Sequence, residues 1–317
     1  MGLNFFLFRR RRWQIFGGSF FSVLLMGLVL LVSSCTSPGA MQISGYRIPA
    51  ATVQDAEFTL LSWNVHKGQH PDLAGDLHET LKVHQPDLVF LQEAKPGTVE
   101  EPHLAGTLAP AWRHPLKLRS EVGVFTASCV EPLERQAFRS KSRELGFTTP
   151  KTALMTRYAL SNGTELLAVN VHALNFERGE PKRFIRQMKT LHVLMQAHEG
   201  PIVFAGDFNT WNAERNDYLQ ELAAGLGMQE VNSFVGYRKT GDHGWANHLL
   251  GIDPSLPLDR VFYRGLECTS AKILDLDSSD HDPLVVRFRA PVNDKGESAL
   301  AMLAPELSVV ADHLEAL

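Results

Sequence analysis

Apolar and polar positions along the chain fall into short blocks whose period changes repeatedly. Residues 57–65 (EFTLLSWNV) are rich in β-forming side chains and predict a strand. Leu73, Leu77 and Leu81 then recur at four-residue steps and predict a helix over 73–84. Residues 87–93 (DLVFLQE) are a short apolar run, expected as a buried strand, and a second helix is expected near 98–107. Strands are predicted at about 122–130, 152–160 and 165–171. Over 181–198 the apolar residues Phe184, Ile185, Met188, Leu191, Leu194 and Met195 make a helical face behind Pro181. A buried strand at 201–206, a helix at 215–226 and strands at about 258–264 and 283–289 complete the pattern. Strands outnumber helices and alternate with them in two similar halves. Two sheets packed face to face, with helices outside, satisfy such a pattern.

One apolar block is of a different kind. Arg9 to Arg12 precede a run from Ile15 to Val32 that carries no charge, and small residues follow. That is the layout of a secretory leader. The run ends Leu31-Val32-Ser33-Ser34-Cys35, which resembles the bacterial lipobox. The resemblance implies cleavage before Cys35, acylation of that cysteine and, with Thr36 rather than Asp following, anchoring in the outer membrane facing the periplasm. The competing reading is an uncleaved helical anchor, since eighteen uncharged residues just suffice to span a bilayer. The expected organisation is a signal peptide at 1–34, a turn-rich tether at 35–55, a catalytic domain at 56–290 and a tail at 291–317.

Composition is near the average for soluble proteins, with 44% apolar and 21% charged residues. It excludes a wholly disordered chain and a multi-span membrane protein. Three cysteines in 317 residues exclude a disulfide-stapled scaffold. Cys129 and Cys268 either pair in an oxidising compartment or, the preferred reading, stay free and half-buried. Removing the four leader arginines takes the net charge from −4 to −8, which argues against a non-specific duplex nuclease. A basic stretch nevertheless follows His172: Arg178, Lys182, Arg183, Arg186 and Lys189. It either lines a phosphate-rich groove or is an ordinary solvated helix face.

The polar residues of chemical interest lie at strand ends. Trp63-Asn64 and Gln92-Glu93 end two predicted strands. Asn170-Val171-His172 and Gly206-Asp207-Phe208-Asn209 end two more. Asp259 opens a later one, and Ser279-Asp280-His281 precedes the last. Singly, each has a bland reading as a turn, a cap or a core histidine. Together, and in this order, they resemble the endonuclease/exonuclease/phosphatase family, and within it the uncharacterised bacterial YafD-like branch. The resemblance covers residues 57–290. It implies a four-layer α/β sandwich, with two mixed β-sheets and flanking helices as in the secreted deoxyribonucleases. It also implies a Mg²⁺- or Mn²⁺-dependent hydrolase acting on phosphate esters.

A phosphate ester resists attack because its oxygens are already negative, so catalysis must neutralise charge and position a water in line. The resemblance assigns Asn64, Glu93 and Asp280 to the metal side. It assigns Asp207 to the attacking water, Asn209 to the transition state, and His172 and His281 to phosphate contact or proton transfer, with Asp259 orienting His281. His66 stands where several family nucleases carry an acidic residue; it is either a phosphate contact or simply exposed. The expected substrate is a nucleic acid or nucleotide, with a lipid headgroup or inositol phosphate as the alternative. A catalytically silent binding lipoprotein is the contrasting reading. The chain is expected to act as a monomer, tied to the membrane through its lipid anchor.

Overall fold

The computed structural model describes residues 44–46, 53–99, 101–113, 121–144, 149–177, 180–234 and 253–291. The leader, Cys35, most of the tether, Arg178, Trp245, the polar loop beyond Phe234 and the tail beyond Pro291 lie outside the described residues. Among the described residues, no helix is long and apolar enough to cross a membrane.

Two mixed sheets of seven strands each form the centre. The first runs β1 (Ser44–Tyr46), β5 (Ala105–Arg113), β6 (Glu121–Ser128), β4 (Leu88–Ala94), β3 (Glu57–Asn64), β14 (Leu284–Arg289) and β13 (Glu267–Ile273). The second runs β11 (Gln229–Glu230), β12 (Asp259–Arg264), β10 (Ile202–Asp207), β9 (Glu165–His172), β8 (Thr152–Leu160) and β2 (Val53–Gln54), with β7 (Glu134–Arg139) also paired to β8. Strands β3 and β4 are parallel, as are β9 and β10.

Alternation along each strand makes the layers. In β3, Phe58 and Leu60 pack between the sheets, while Leu61 and Trp63 face outward onto helix α1 (Leu73–His84). In β10, Val203 and Ala205 point inward, and Ile202 and Phe204 point outward onto α2 (Lys182–Gln196) and α3 (Ala213–Gly225). The result is four layers, helix–sheet–sheet–helix, as expected from the sequence.

Three differences have local causes. The helix expected near 98–107 is instead a turn leading into β5. Leu104, Ala105, Leu108 and Ala109 are buried on both faces of a strand, so the period-two signal vanishes and Leu104–Leu108 imitates a helical step. Pro110 is accommodated because the β5–β6 ladder is irregular between Pro110 and Trp112. The edge strands β7 and β13 went unpredicted because their residues are mostly exposed or half-exposed and carry little apolar pattern. From the stretch read as a tether, Ser44–Tyr46 and Val53–Gln54 add short strands to the two sheets. Cys129 and Cys268 are both free and half-buried.

Candidate active site

The parity that buries the inter-sheet core also builds the site. Asp207 follows Val203 and Ala205 on the same face of β10, so it emerges between the sheets at their rim. By the same count His172 follows Leu166 and Ala168 on β9, and Asp259 precedes Val261 on β12. Asn64 follows Phe58 and Leu60 on β3. Parity would send Glu93 to the opposite face from Leu88, Phe90 and Gln92. The β4–β6 register shifts between Leu91 and Ala94, and Glu93 takes φ 55°, which turns its side chain to the pocket. All eight residues assigned from the sequence as catalytic or metal-binding line one cavity of about 610 Å³.

Strain gathers at this rim. Among the described residues five non-glycines have positive φ, and four of them, His66, Lys67, Glu93 and Asn209, line the cavity. Such conformers persist only where surrounding contacts hold them. Gly206 (φ 136°) is required by close approach, since a Cβ there would sit 2.1 Å from the Val171 carbonyl oxygen.

The hydrogen bonds centre on Asp207. Asn64 Nδ2 donates to its Oδ2 (2.9 Å), and the Asn209 backbone N–H donates to its Oδ1 (3.0 Å). His172 Nε2 lies 3.3 Å and His281 Nε2 4.0 Å from Asp207 Oδ2. Asp259 Oδ2 is 2.6 Å from His281 Nδ1 and orients that ring. The Asn209 amide has one donor spent on the Ala173 carbonyl (3.0 Å), leaving one for a ligand. His66 is half-exposed, with Nδ1 3.4 Å from Asp280 Oδ1.

Burial and charge split the titrations of these groups. Burial raises the Asp207 carboxyl, and nearby Asp259 adds to it; His281, Lys151 and the Asn64 hydrogen bond oppose, leaving a value of about 6. For His281, burial alone would lower the value, but the charge and hydrogen bond of Asp259, with Asp207 and Asp280, overcome it and raise it to about 10. His172 is held well below the ordinary histidine value by burial and then by Lys151, His281 and Lys67. At neutral pH the site therefore holds a carboxylate at Asp207, an imidazolium at His281 and a neutral ring at His172.

Several residues that matter here escaped the sequence reading. Lys67 Nζ stands 3.0 Å from Glu93 Oε2, off hydrogen-bond alignment, so that buried oxygen accepts no hydrogen bond. Lys151 Nζ lies 2.9 Å from His172 Nε2, 3.7 Å from Glu93 Oε1 and 3.4 Å from Glu144 Oε1. Its signal was present: it directly precedes the strand whose first residues pair with the end of β9. Gln92 Nε2 donates to Asn170 Oδ1 (2.8 Å), and Asn170 Nδ2 donates to the Phe125 carbonyl (2.9 Å), tying one sheet to the other beneath the site. Gln187 on α2 donates to the His172 carbonyl and accepts from the Leu174 N–H.

Arg215 on α3 is buried, with its guanidinium between the Trp211 and Phe184 rings at 4.7 and 4.9 Å. It donates to the carbonyls of Leu174 (2.6 Å), Asn175 (2.7 Å) and Asn209 (3.2 Å), fixing the loops that carry His172 and Asn209.

Among the described residues, no three His, Cys, Asp or Glu side chains converge tightly enough to cage a metal by themselves. A hard cation such as Mg²⁺ needs only one or two carboxylates and keeps several waters. The free Oε2 of Glu93, beside the Asn64 amide oxygen and the exposed Asp280, fits that demand.

The sequence profile of the Endonuclease/Exonuclease/phosphatase family matches residues 61–281. A UPF0294 protein of Vibrio campbellii is 34% identical over 248 residues, covering 77% of this chain and 81% of its own. A UPF0294 protein of Yersinia enterocolitica is 32% identical over 259 residues, covering 80% and 92%. These relatives fit the YafD-like branch. Among solved structures, an endonuclease/exonuclease/phosphatase from Beutenbergia cavernae aligns with a TM-score of 0.56 at 16% identity, covering 74% of this chain and 72% of that one. D. rerio TDP2 in complex with a single strand DNA product aligns at 0.52 and 18% identity, covering 74% and 99%.

Proposed function

The chain belongs to the endonuclease/exonuclease/phosphatase family, and on that premise we propose that it is a divalent-metal-dependent phosphodiesterase acting on nucleic acid or nucleotides. The observation that carries this reading is the arrangement around Asp207. A buried carboxylate that titrates at about 6 stands beside an imidazolium held by Asp259. A base and an acid with separated titrations are what phosphate-ester hydrolysis requires of its protein groups.

In this reading Glu93, Asn64 and Asp280 hold Mg²⁺ or Mn²⁺, which when bound supplies positive charge to the phosphate oxygens. Asp207, aimed by the Asn64 amide and the Asn209 N–H, orients the attacking water and accepts its proton. His281 presents its Nε2 proton to a phosphate oxygen while Asp259 keeps its tautomer and charge. Lys151 and Lys67 add fixed positive charge on the Glu93 side of the pocket. The remaining Asn209 donor and the neutral His172 ring complete the cradle. A nucleic-acid substrate is favoured over a lipid headgroup by the solved TDP2 complex with a single strand DNA product.

Turnover of a chromogenic phosphodiester, a phosphomonoester, DNA, RNA and phospholipids, each with Mg²⁺, Mn²⁺ or EDTA, tests the reading. EDTA-sensitive cleavage of a diester is expected, and its absence on every substrate would overturn the proposal. The leader and Cys35 support a further part of the reading, a lipid-anchored enzyme at the outer membrane. Mass spectrometry of membrane fractions should then find a diacylated Cys35; an intact, unmodified N-terminus refutes it.

A further inference from the structure

Beside the catalytic cavity lies a second groove of about 420 Å³, between the outer face of β7–β8 and helix α2. Phe138, Ala153 and Leu191 make its floor. Arg139 and Lys141 rise on one wall, Arg183 and Arg186 on the other, and no acidic residue is among the described residues that line it.

The placement of these cations is costly. Lys182, Arg183 and Arg186 crowd the start of α2, whose first turn carries no acidic residue, so they oppose the helix dipole. Glu177 offsets part of this by accepting from the Arg183 and Phe184 backbone N–H groups (2.8 and 3.1 Å). Across the groove, Arg139 is held below its ordinary value by partial burial and by the charge of Arg143. Cations gathered against each other and against a helix dipole are relieved by a bound polyanion.

The groove opens at the same rim as the catalytic cavity. Arg139 is the partner of Thr152 in the β7–β8 ladder, and Thr152 adjoins Lys151 of the catalytic cavity. Gln187 lines the groove and also bonds the His172 carbonyl. Residues 140–144 run from the groove wall, where Arg186 Nη1 donates to Ser142 Oγ, to Glu144 in the catalytic pocket. From β10, which carries Asp207, to β7, which carries Arg139, there are three strand spacings, about 14 Å. At 3.4 Å per nucleotide that is about four nucleotides. A single phosphate headgroup in the catalytic cavity does not reach this far. Phe176, 52% exposed at the lip of the cavity, offers a ring for a base to stack on.

We infer that the β7–α2 groove is a secondary subsite for a single-stranded nucleic acid, holding phosphates about four nucleotides from the one cleaved. The inference rests on the phosphodiesterase reading for which strand is cut, but the groove's affinity is measurable without turnover.

Binding of fluorescein-labelled oligothymidylates of increasing length to the full chain, in EDTA, reads the groove directly. Affinity should rise about tenfold between a dinucleotide and an octanucleotide. The paired substitution Lys141→Ala and Arg186→Ala should remove that gain and lower the salt slope by about 2. Affinity independent of length, an octamer bound equally by the variant, or tighter binding to duplex or anionic vesicles would each overturn the inference. Turnover of a small chromogenic diester separates the two proposals. If the small diester is cleaved without any length effect on binding, the groove alone is refuted. If length-dependent binding persists with no turnover, the catalytic reading falls and the subsite stands.

Discussion

Asp207 is held by more contacts than a surface carboxylate needs, and each one tunes it. Its neighbours keep it charged at neutral pH while burial keeps it basic enough to take a proton. Activity should therefore rise from acid to neutral pH with a midpoint of about 6, as Asp207 deprotonates. It should fall again in the alkaline range, around 10, as His281 loses its proton. The kcat/KM profile of the diester reaction checks both limbs, and a flat profile across the acid limb removes Asp207 as the base. Asp207→Asn and His281→Ala should each reduce kcat by at least about a hundredfold, the usual worth of a general acid or base, with an unchanged circular dichroism spectrum. Retained activity in either variant refutes its assigned role. Glu93, with one oxygen left without a hydrogen bond, makes the complementary claim about metal. EDTA should abolish turnover, and added Mg²⁺ or Mn²⁺ should restore it in the wild type but not in Glu93→Gln.

At the scale of elements, the site depends on how strands and helices hold two loops. Arg215 is a buried cation whose partners are carbonyls of residues 174, 175 and 209 and the Glu177 carboxylate. Removing it leaves that carboxylate and those carbonyls buried without their donor. Arg215→Met should therefore cost about 3–5 kcal/mol in chemical denaturation, comparable to breaking a buried ion pair. A change under about 1 kcal/mol, within the range of exposed ion pairs, would mean the guanidinium is not structural. Gly206→Ala should also destabilise, because the added carbon meets the β9 backbone and nothing flexible can yield. The element scale also explains what the sequence hid. β5 reads as a helix because both its faces are buried, and β7 and β13 read as loops because they are edges with polar partners. Hydrophobic periodicity reports burial on one face only, so it is silent in both situations.

Across the whole molecule, the two sheets meet over an apolar core with one polar fastening near the rim, Gln92 to Asn170. Asn170 reaches from the second sheet to the carbonyl of Phe125 and the hydroxyl of Thr126 in the first. Replacing Asn170 by Leu should cost about 1–3 kcal/mol, the penalty for leaving a buried partner unsatisfied. Thermal denaturation measures this, and a neutral result would show that the sheets register without the bond. Because the fastening lies beneath Glu93 and His172, the same variant should lower kcat through misalignment of the rim.

The sequence by itself determined the order of the main strands, the layered α/β class and the residue types at strand ends. These depend on local alternation and on side-chain identity, which are written along the chain. It also carried Glu93, Asp207, Asp259 and His281 by motif, because strand parity places them before any long-range contact is known. Only the tertiary structure decided which of those side chains touch. It put Asp259 on His281, a separation of 22 residues, and Asn64 on Asp207, a separation of 143. It brought Lys67 and Lys151 to Glu93, and it set Arg139 opposite Arg186 across the second groove. Titration values and charge clusters arise from burial and from neighbours distant in sequence. They exist only once the two sheets have closed on each other.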